Sequence, residues 1–103
     1  MSDRIAFISG ANRGIGFETS KRLAENGIKV ILGSRNIEKG KLAAEKLISS
    51  GYDVEVLEYD ALDSDAPDKV FEYINDKYGK LDILINNAGV LLTGNLFVTN
   101  TST

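Results

Sequence analysis

The chain has 103 residues, 15 acidic and 12 basic side chains, a formal charge of -3, and no His, Cys or Trp. Without Cys there is no disulfide, thiolate nucleophile or Cys-bound zinc, and without His no imidazole base, so acid–base work falls to Asp, Glu, Lys or Tyr. A hydrophobic share of 43% against 26% charged fits one globular domain, and a pI near 4.9 argues against a sequence-independent hold on nucleic acid.

The start, Met1-Ser2-Asp3-Arg4, leads into the short apolar run Ile5-Ala6-Phe7-Ile8 and then Gly10. It resembles neither a signal peptide nor a membrane span, so a cytoplasmic protein without membrane contact is expected. Continuous apolar runs of this kind fit a strand covered by helices on both faces, and this one is expected to be central. Ile15, Thr19 and Leu23 recur at helical spacing with Ala24 beside them, and Gly27 stands where a left-handed residue would stop the helix. Ile28-Lys29-Val30-Ile31-Leu32 reads as a second strand. Ile37, Ala44, Leu47 and Ile48 then mark a helix capped by Asn36 and ending near Gly51.

Val54-Glu55-Val56-Leu57 predicts a third strand, and a third helix is expected from Asp63 or Ser64, with the only proline, Pro67, in its first turn. Its buried stripe would be Val70, Phe71, Ile74 and Tyr78. Leu81-Asp82-Ile83-Leu84-Ile85 makes a fourth strand, giving β-α-β-α-β-α-β, the pattern of a parallel sheet wound with helices. Residues 91–103 read as a polar tail without a recognisable element or second domain.

Right-handed crossovers march strands 1, 2 and 3 in one direction, and the fourth is most simply placed beyond strand 1, in order 3-2-1-4. Ligands of such sheets bind at the C-terminal strand ends where the order reverses, which brings Gly10 to Gly16 beside Asn86 to Gly89. The first loop, Ser9-Gly10-Ala11-Asn12-Arg13-Gly14-Ile15-Gly16, carries glycines where the chain must turn, approach a ligand and pack a helix closely. It opens a helix whose free N–H groups attract an anion, so a phosphate or pyrophosphate is the natural ligand. The spacing G-x-x-x-G-x-G departs from G-x-G-x-x-G and lacks the Gly-Lys-Ser/Thr ending of a P-loop.

With Asn86-Asn87-Ala88-Gly89 after the fourth strand and Asp60 after the third, this segment closely resembles the short-chain dehydrogenase/reductase family, and most of all its carbonyl-reductase-like members. The resemblance covers roughly residues 4–90. It implies an α/β Rossmann-type fold whose residues 1–90 form the dinucleotide-binding half, truncated after the fourth strand. It also implies roles: Gly10, Gly14, Ile15 and Gly16 at the pyrophosphate and its ribose, Asp60 and Ala61 at the adenine, and Asn86, Ala88 and Gly89 on the adenosine side. For Asn86, fixing the end of the strand is an alternative to direct contact. Ser9 stands where the family usually has Thr and keeps the hydroxyl.

An NAD enzyme needs a carboxylate at the end of the second strand, where this chain has Gly33-Ser34-Arg35-Asn36. Arg35 offers a fork suited to a 2′-phosphate, and Arg13, beside Asn12 in the glycine loop, could reach the same group. At roughly 1.5–3 kcal/mol per charged hydrogen bond, NADP should outcompete NAD by at least about tenfold.

The family implies hydride transfer between a carbonyl and an alcohol, using a Ser, a Tyr and a Lys that lie well after Asn-Asn-Ala-Gly. Only 14 residues follow Gly89, and none is Tyr or Lys, so a cofactor-binding portion without catalysis of its own is expected, or alternatively a non-catalytic regulatory partner module. Tyr73-Ile74-Asn75-Asp76-Lys77 satisfies Y-x-x-x-K by letter but falls on the third helix, as an amphipathic border. The carboxylates Asp68, Glu72, Asp76 and Asp82 read as a solvated face, with no metal site. Residues 81–85 would form an exposed edge strand, open to self-association or pairing with another chain, and would leave the domain weakly stable.

Overall fold

The computed structural model describes residues 4–10, 14–60 and 62–86, and the backbone of Phe97–Asn100. The described chain runs β1 (Ile5–Ser9), α1 (Gly14–Glu25), β2 (Lys29–Ser34), α2 (Ile37–Ile48), β3 (Val54–Glu58), α3 (Ala66–Tyr78), β4 (Ile83–Asn86) and β5 (Phe97–Asn100). All strand pairs are parallel, in the order β3-β2-β1-β4-β5. The expected order 3-2-1-4 is therefore present. Every residue of β1 is buried, as is every residue of β2 except the half-buried Lys29, which is why both read as continuous apolar runs.

Helices α1 and α2 cover one face. There Ile8, Val30, Leu32, Val54 and Ile85 pack with Ala24 of α1 and with Ala43, Ala44 and Leu47 of α2. The buried stripe of α1 is Gly16, Ser20 and Ala24, one position on from the expected Ile15, Thr19 and Leu23. Ile15 is 51% exposed. Small residues let the helix backbone lie close to the sheet, and the Ser20 hydroxyl is satisfied within the helix by donating to the Gly16 carbonyl at 2.8 Å. An apolarity pattern does not register Gly and Ser, so it selected the flanks. The ends match expectation: Gly27 is left-handed at φ 80° and its N–H reaches the Ala24 carbonyl at 3.0 Å. The Asn36 side chain accepts from the Lys39 N–H at 3.1 Å, capping α2. Ile48 is half exposed and stays out of the α2 stripe.

Helix α3 covers the other face. Ala66, Val70 and Ile74 are buried over Ile5, Phe7, Ile31, Tyr59 and Leu84, with Phe71, Tyr73 and Tyr78 at the border. Pro67 sits in the first turn and left-handed Gly79 ends the helix. Beneath its C-terminal half lies Glu55 of β3, whose carboxylate accepts from the hydroxyls of Tyr73 and Tyr78 and from Lys77 Nζ at 3.1 Å. Tyr73 and Lys77 are thus committed to Glu55, near the N-terminal end of β3. Burial pushes the Glu55 carboxyl up, but the hydrogen bonds from Tyr73, Tyr78 and Lys77 outweigh it and hold the group below its ordinary range.

Two expectations at the fourth strand are corrected. The edge predicted at residues 81–85 is not open, because β4 pairs with β5 from Ile83↔Phe97 to Asn86↔Asn100. Phe97-Val98-Thr99 is an aromatic and β-branched run that suits a strand, and pairing satisfies backbone groups that β4 would otherwise leave bare. The tail's polar composition had masked it; residues 91–96 and 101–103 lie outside the described residues. Asp82 is not part of a solvated face: its carboxylate accepts from the Ile5 N–H at 2.8 Å while its own N–H donates to the Ile5 carbonyl at 2.9 Å, fixing the start of β4 against β1.

A carboxyl held low in the folded state stabilises fully above its unfolded value, 4.5, and loses that contribution as pH falls through the lower folded value. Urea midpoints should therefore drop on acidification below that range. Glu55→Gln should cost about 1–2 kcal/mol at neutral pH and flatten the acid decline; an unchanged acid limb in the variant would refute this role.

Candidate functional site

The parallel register lines up the C-terminal strand ends: Leu57 opposite Gly33, Gly33 opposite Ser9, and Ser9 opposite Asn86. The strand order reverses at β1, and the C-terminal ends of β1 and β4 mark the place where open α/β sheets hold ligands in a crevice. At its floor the Ser9 hydroxyl donates to Asn86 Oδ1 at 3.1 Å, both residues fully buried and 77 positions apart. Asn86 therefore braces the end of β4 to the end of β1.

Above this floor Gly10 leaves the strand at φ 63°, and Gly14 opens α1 at the same angle. A Cβ at Gly14 would meet no atom within 4 Å, so backbone conformation rather than crowding calls for glycine. The first turn of α1 contains no acid, whereas Glu38 and Asp68 occupy the first turns of α2 and α3. Its N–H groups and positive dipole end thus face the crevice without a carboxylate from that turn, an arrangement that fits an anion. Gly16 faces the sheet, and half-exposed Ile15 stands beside the opening.

The second wall is the end of β2. A Cβ at Gly33 would lie 2.6 Å from Phe7 Cζ and 3.2 Å from Tyr59 Cβ, so ring packing fills that side. Ser34 is buried, and Arg35 is exposed without an ion pair among the described residues. Sequence reasoning missed the inward Ser34, and also exposed Glu58, which the register sets opposite Ser34. Asp60 is half-buried just beyond β3; its Oδ1 accepts from the Leu62 N–H at 2.9 Å. With Glu58, Asp63, Ala66 and Lys69 it lines a hollow of about 280 Å³. Of the expected site residues, Ser9, Gly10, Gly14, Ile15, Gly16, Arg35, Asp60 and Asn86 lie along the C-terminal rim of the sheet, while Asn12, Arg13, Ala61, Ala88 and Gly89 lie outside the described residues. Among the described residues no acidic cluster of metal-binding form occurs, and no helix is long and apolar enough to cross a membrane.

A family model described as short chain dehydrogenase matches residues 4–102. The chain is 44% identical over 90 residues to Short-chain dehydrogenase/reductase 1 of Saponaria officinalis, covering 84% of this chain and 30% of that protein. It superimposes on menthone neomenthol reductase from Mentha piperita with a TM-score of 0.80 and 42% identity, over 86% of this chain and 32% of that one. A metagenomic short-chain oxidoreductase in complex with NADP gives a TM-score of 0.81 at 32% identity, over 87% and 41% of the two chains. The chain thus spans about 30% of the length of the curated relatives it matches.

The brace at the crevice floor is open to a stability measurement. Ser9→Ala, which deletes a buried hydrogen bond joining β1 to β4, should lower the free energy of unfolding by about 1–2 kcal/mol, read as a lower urea midpoint at constant slope. An unchanged midpoint would show that the bond carries nothing.

Proposed function

The chain belongs to the short-chain dehydrogenase family, and from that premise we propose that it supplies the NADP(H)-holding wall of an oxidoreductase that interconverts a carbonyl and an alcohol. The observation that carries the proposal is the acid-free N-terminus of α1 opening at Gly14 into the crevice between β1 and β4. Gly10, Gly14, Ile15 and Gly16 hold the pyrophosphate against that helix end, where free N–H groups donate to its oxygens. Asp60 and Ala61 border the adenine, and Ala88 and Gly89 line the adenosine side, while fully buried Asn86 fixes the end of β4 from which they follow. Arg35, with Arg13 and Asn12 of the glycine loop, completes the cofactor wall, and buried Ser9 supports it from the floor through Asn86. The nicotinamide ring of the bound cofactor supplies or accepts the hydride.

The preference for NADP rests on Arg35. Its guanidinium is exposed and uncommitted among the described residues, and it can present two parallel N–H donors to a 2′-phosphate. Glu58 across the ladder adds negative charge to the same rim, so the preference depends on Arg35 outweighing it. Among the described residues no group is placed to exchange the substrate proton. Tyr73 and Lys77 match a Tyr-Lys spacing but are tied to Glu55 at the far end of β3. The chain alone should bind cofactor without turnover.

Calorimetric titration with NADP and NAD in the same buffer tests this. NADP should bind at least about tenfold more tightly, and Arg35→Ala should weaken NADP by about tenfold or more while leaving NAD within about twofold. Equal affinities in the unmodified chain would overturn the NADP assignment, and no saturable binding of either would overturn the cofactor site as a whole.

A further inference from the structure

The turn from β2 into α2 is only Ser34-Arg35-Asn36, yet it is fixed at several points. The Ser34 carbonyl accepts from the Tyr59 N–H at 2.9 Å. The Ser34 hydroxyl donates to the Asn36 carbonyl at 2.8 Å, and that same oxygen accepts the Gly40 N–H at 3.0 Å. The Asn36 side chain in turn caps α2 through the Lys39 N–H. Ser34 is 1% exposed, so its hydroxyl points into the protein rather than toward a ligand.

Gly40 makes this arrangement possible. A Cβ there would stand 2.8 Å from Ser34 Cβ, 3.3 Å from Ser34 Oγ and 2.7 Å from Val56 Cγ2. Ser34 Cβ is bonded directly to the backbone of a buried residue and cannot swing aside, so only glycine lets α2 close over Ser34. A glycine inside a helix costs roughly 1 kcal/mol against alanine, which points to a packing reason at this position. Arg35, between the two pinned residues, is left exposed on a fixed backbone.

We infer that Ser34 and Gly40 are positioning residues for cofactor selectivity: they lock the turn so that Arg35 meets the 2′-phosphate preorganised, and neither touches the ligand. This rests on the NADP reading above. A hydroxyl beside an arginine would ordinarily be taken as a second phosphate donor; here its proton is committed to the Asn36 carbonyl. A locked turn spares binding the cost of ordering the backbone under the guanidinium, and that saving is felt only by a cofactor carrying the 2′-phosphate.

The test is a set of titrations of the 103-residue chain and its Ser34→Ala, Gly40→Ala, Arg35→Ala and Ser34→Ala/Arg35→Ala variants with NADP and NAD, each variant checked for folding by its circular-dichroism melt. Ser34→Ala keeps the Cβ packing and removes only the hydroxyl, so it holds the test open where Gly40→Ala fails to fold. It should weaken NADP by about three- to tenfold, the worth of one hydrogen bond, with NAD within about twofold. In the Arg35→Ala background the same change should have no further effect, since its influence passes through Arg35. Equal weakening of both cofactors, or an NADP preference unchanged in Ser34→Ala, would overturn the inference while the cofactor reading stands. A Ser34 effect persisting in full without Arg35 would identify a direct phosphate donor and overturn it as well. Equal affinities in the unmodified chain would instead overturn the cofactor reading, and this inference with it.

Discussion

Everything else in this fold depends on β1 being buried on both faces and paired along both sides. Ile5 to Ser9 carry no exposed residue, β2 lies on one side and β4 on the other. A strand so enclosed needs helices above and below, and the right-handed crossover rule then dictates that α1 and α2 share one face and α3 takes the other. The reversal of strand order at β1 follows, and with it the crevice. The position of the candidate site is thus a consequence of core packing before any ligand chemistry is considered.

Close approach of backbone to backbone is the second theme, and it links packing to function. Gly16, Ser20 and Ala24 seat α1 closely on the sheet. Gly33 gives way to the Phe7 and Tyr59 rings, which meet edge-on with centroids 5.3 Å apart. Gly40 admits Ser34 beneath α2. Each absent side chain brings a strand end or a helix start to a defined place on the rim. The opposite end of the sheet is held differently, by polar side chains: Asp82 on the Ile5 backbone, and Glu55 gathering Tyr73, Tyr78 and Lys77.

The elements governed by short-range rules were legible in the linear sequence. Apolar runs announced the strands, Asn36 and Gly27 the helix ends, and Pro67 a first turn, and the crossover rule then gave the strand order 3-2-1-4. What escaped was decided by tertiary partners. The stripe of α1 was misplaced because small residues bury without an apolar signature. Phe97–Asn100 looked like tail because its strand character is realised only beside β4. Tyr73 and Lys77 imitated a catalytic spacing, and Glu55, whose three partners lie 18 to 23 residues away, gave no local hint of its role. Ser34 was passed over for its charged neighbour, although a glycine at position 40, inside a helix, marked a close contact.

The proposed dinucleotide site is the C-terminal rim, from the α1 N-terminus to the end of β2. Amide NMR of the isotope-labelled chain, recorded as NADP is added, reads that rim residue by residue. Saturable shifts are expected at Gly10, Gly14, Ile15, Gly16, Arg35 and Asn86, with Glu55, Tyr73 and Tyr78 at the other end of the sheet unmoved. Shifts confined to that other end, or no saturable shift along the rim, would contradict it.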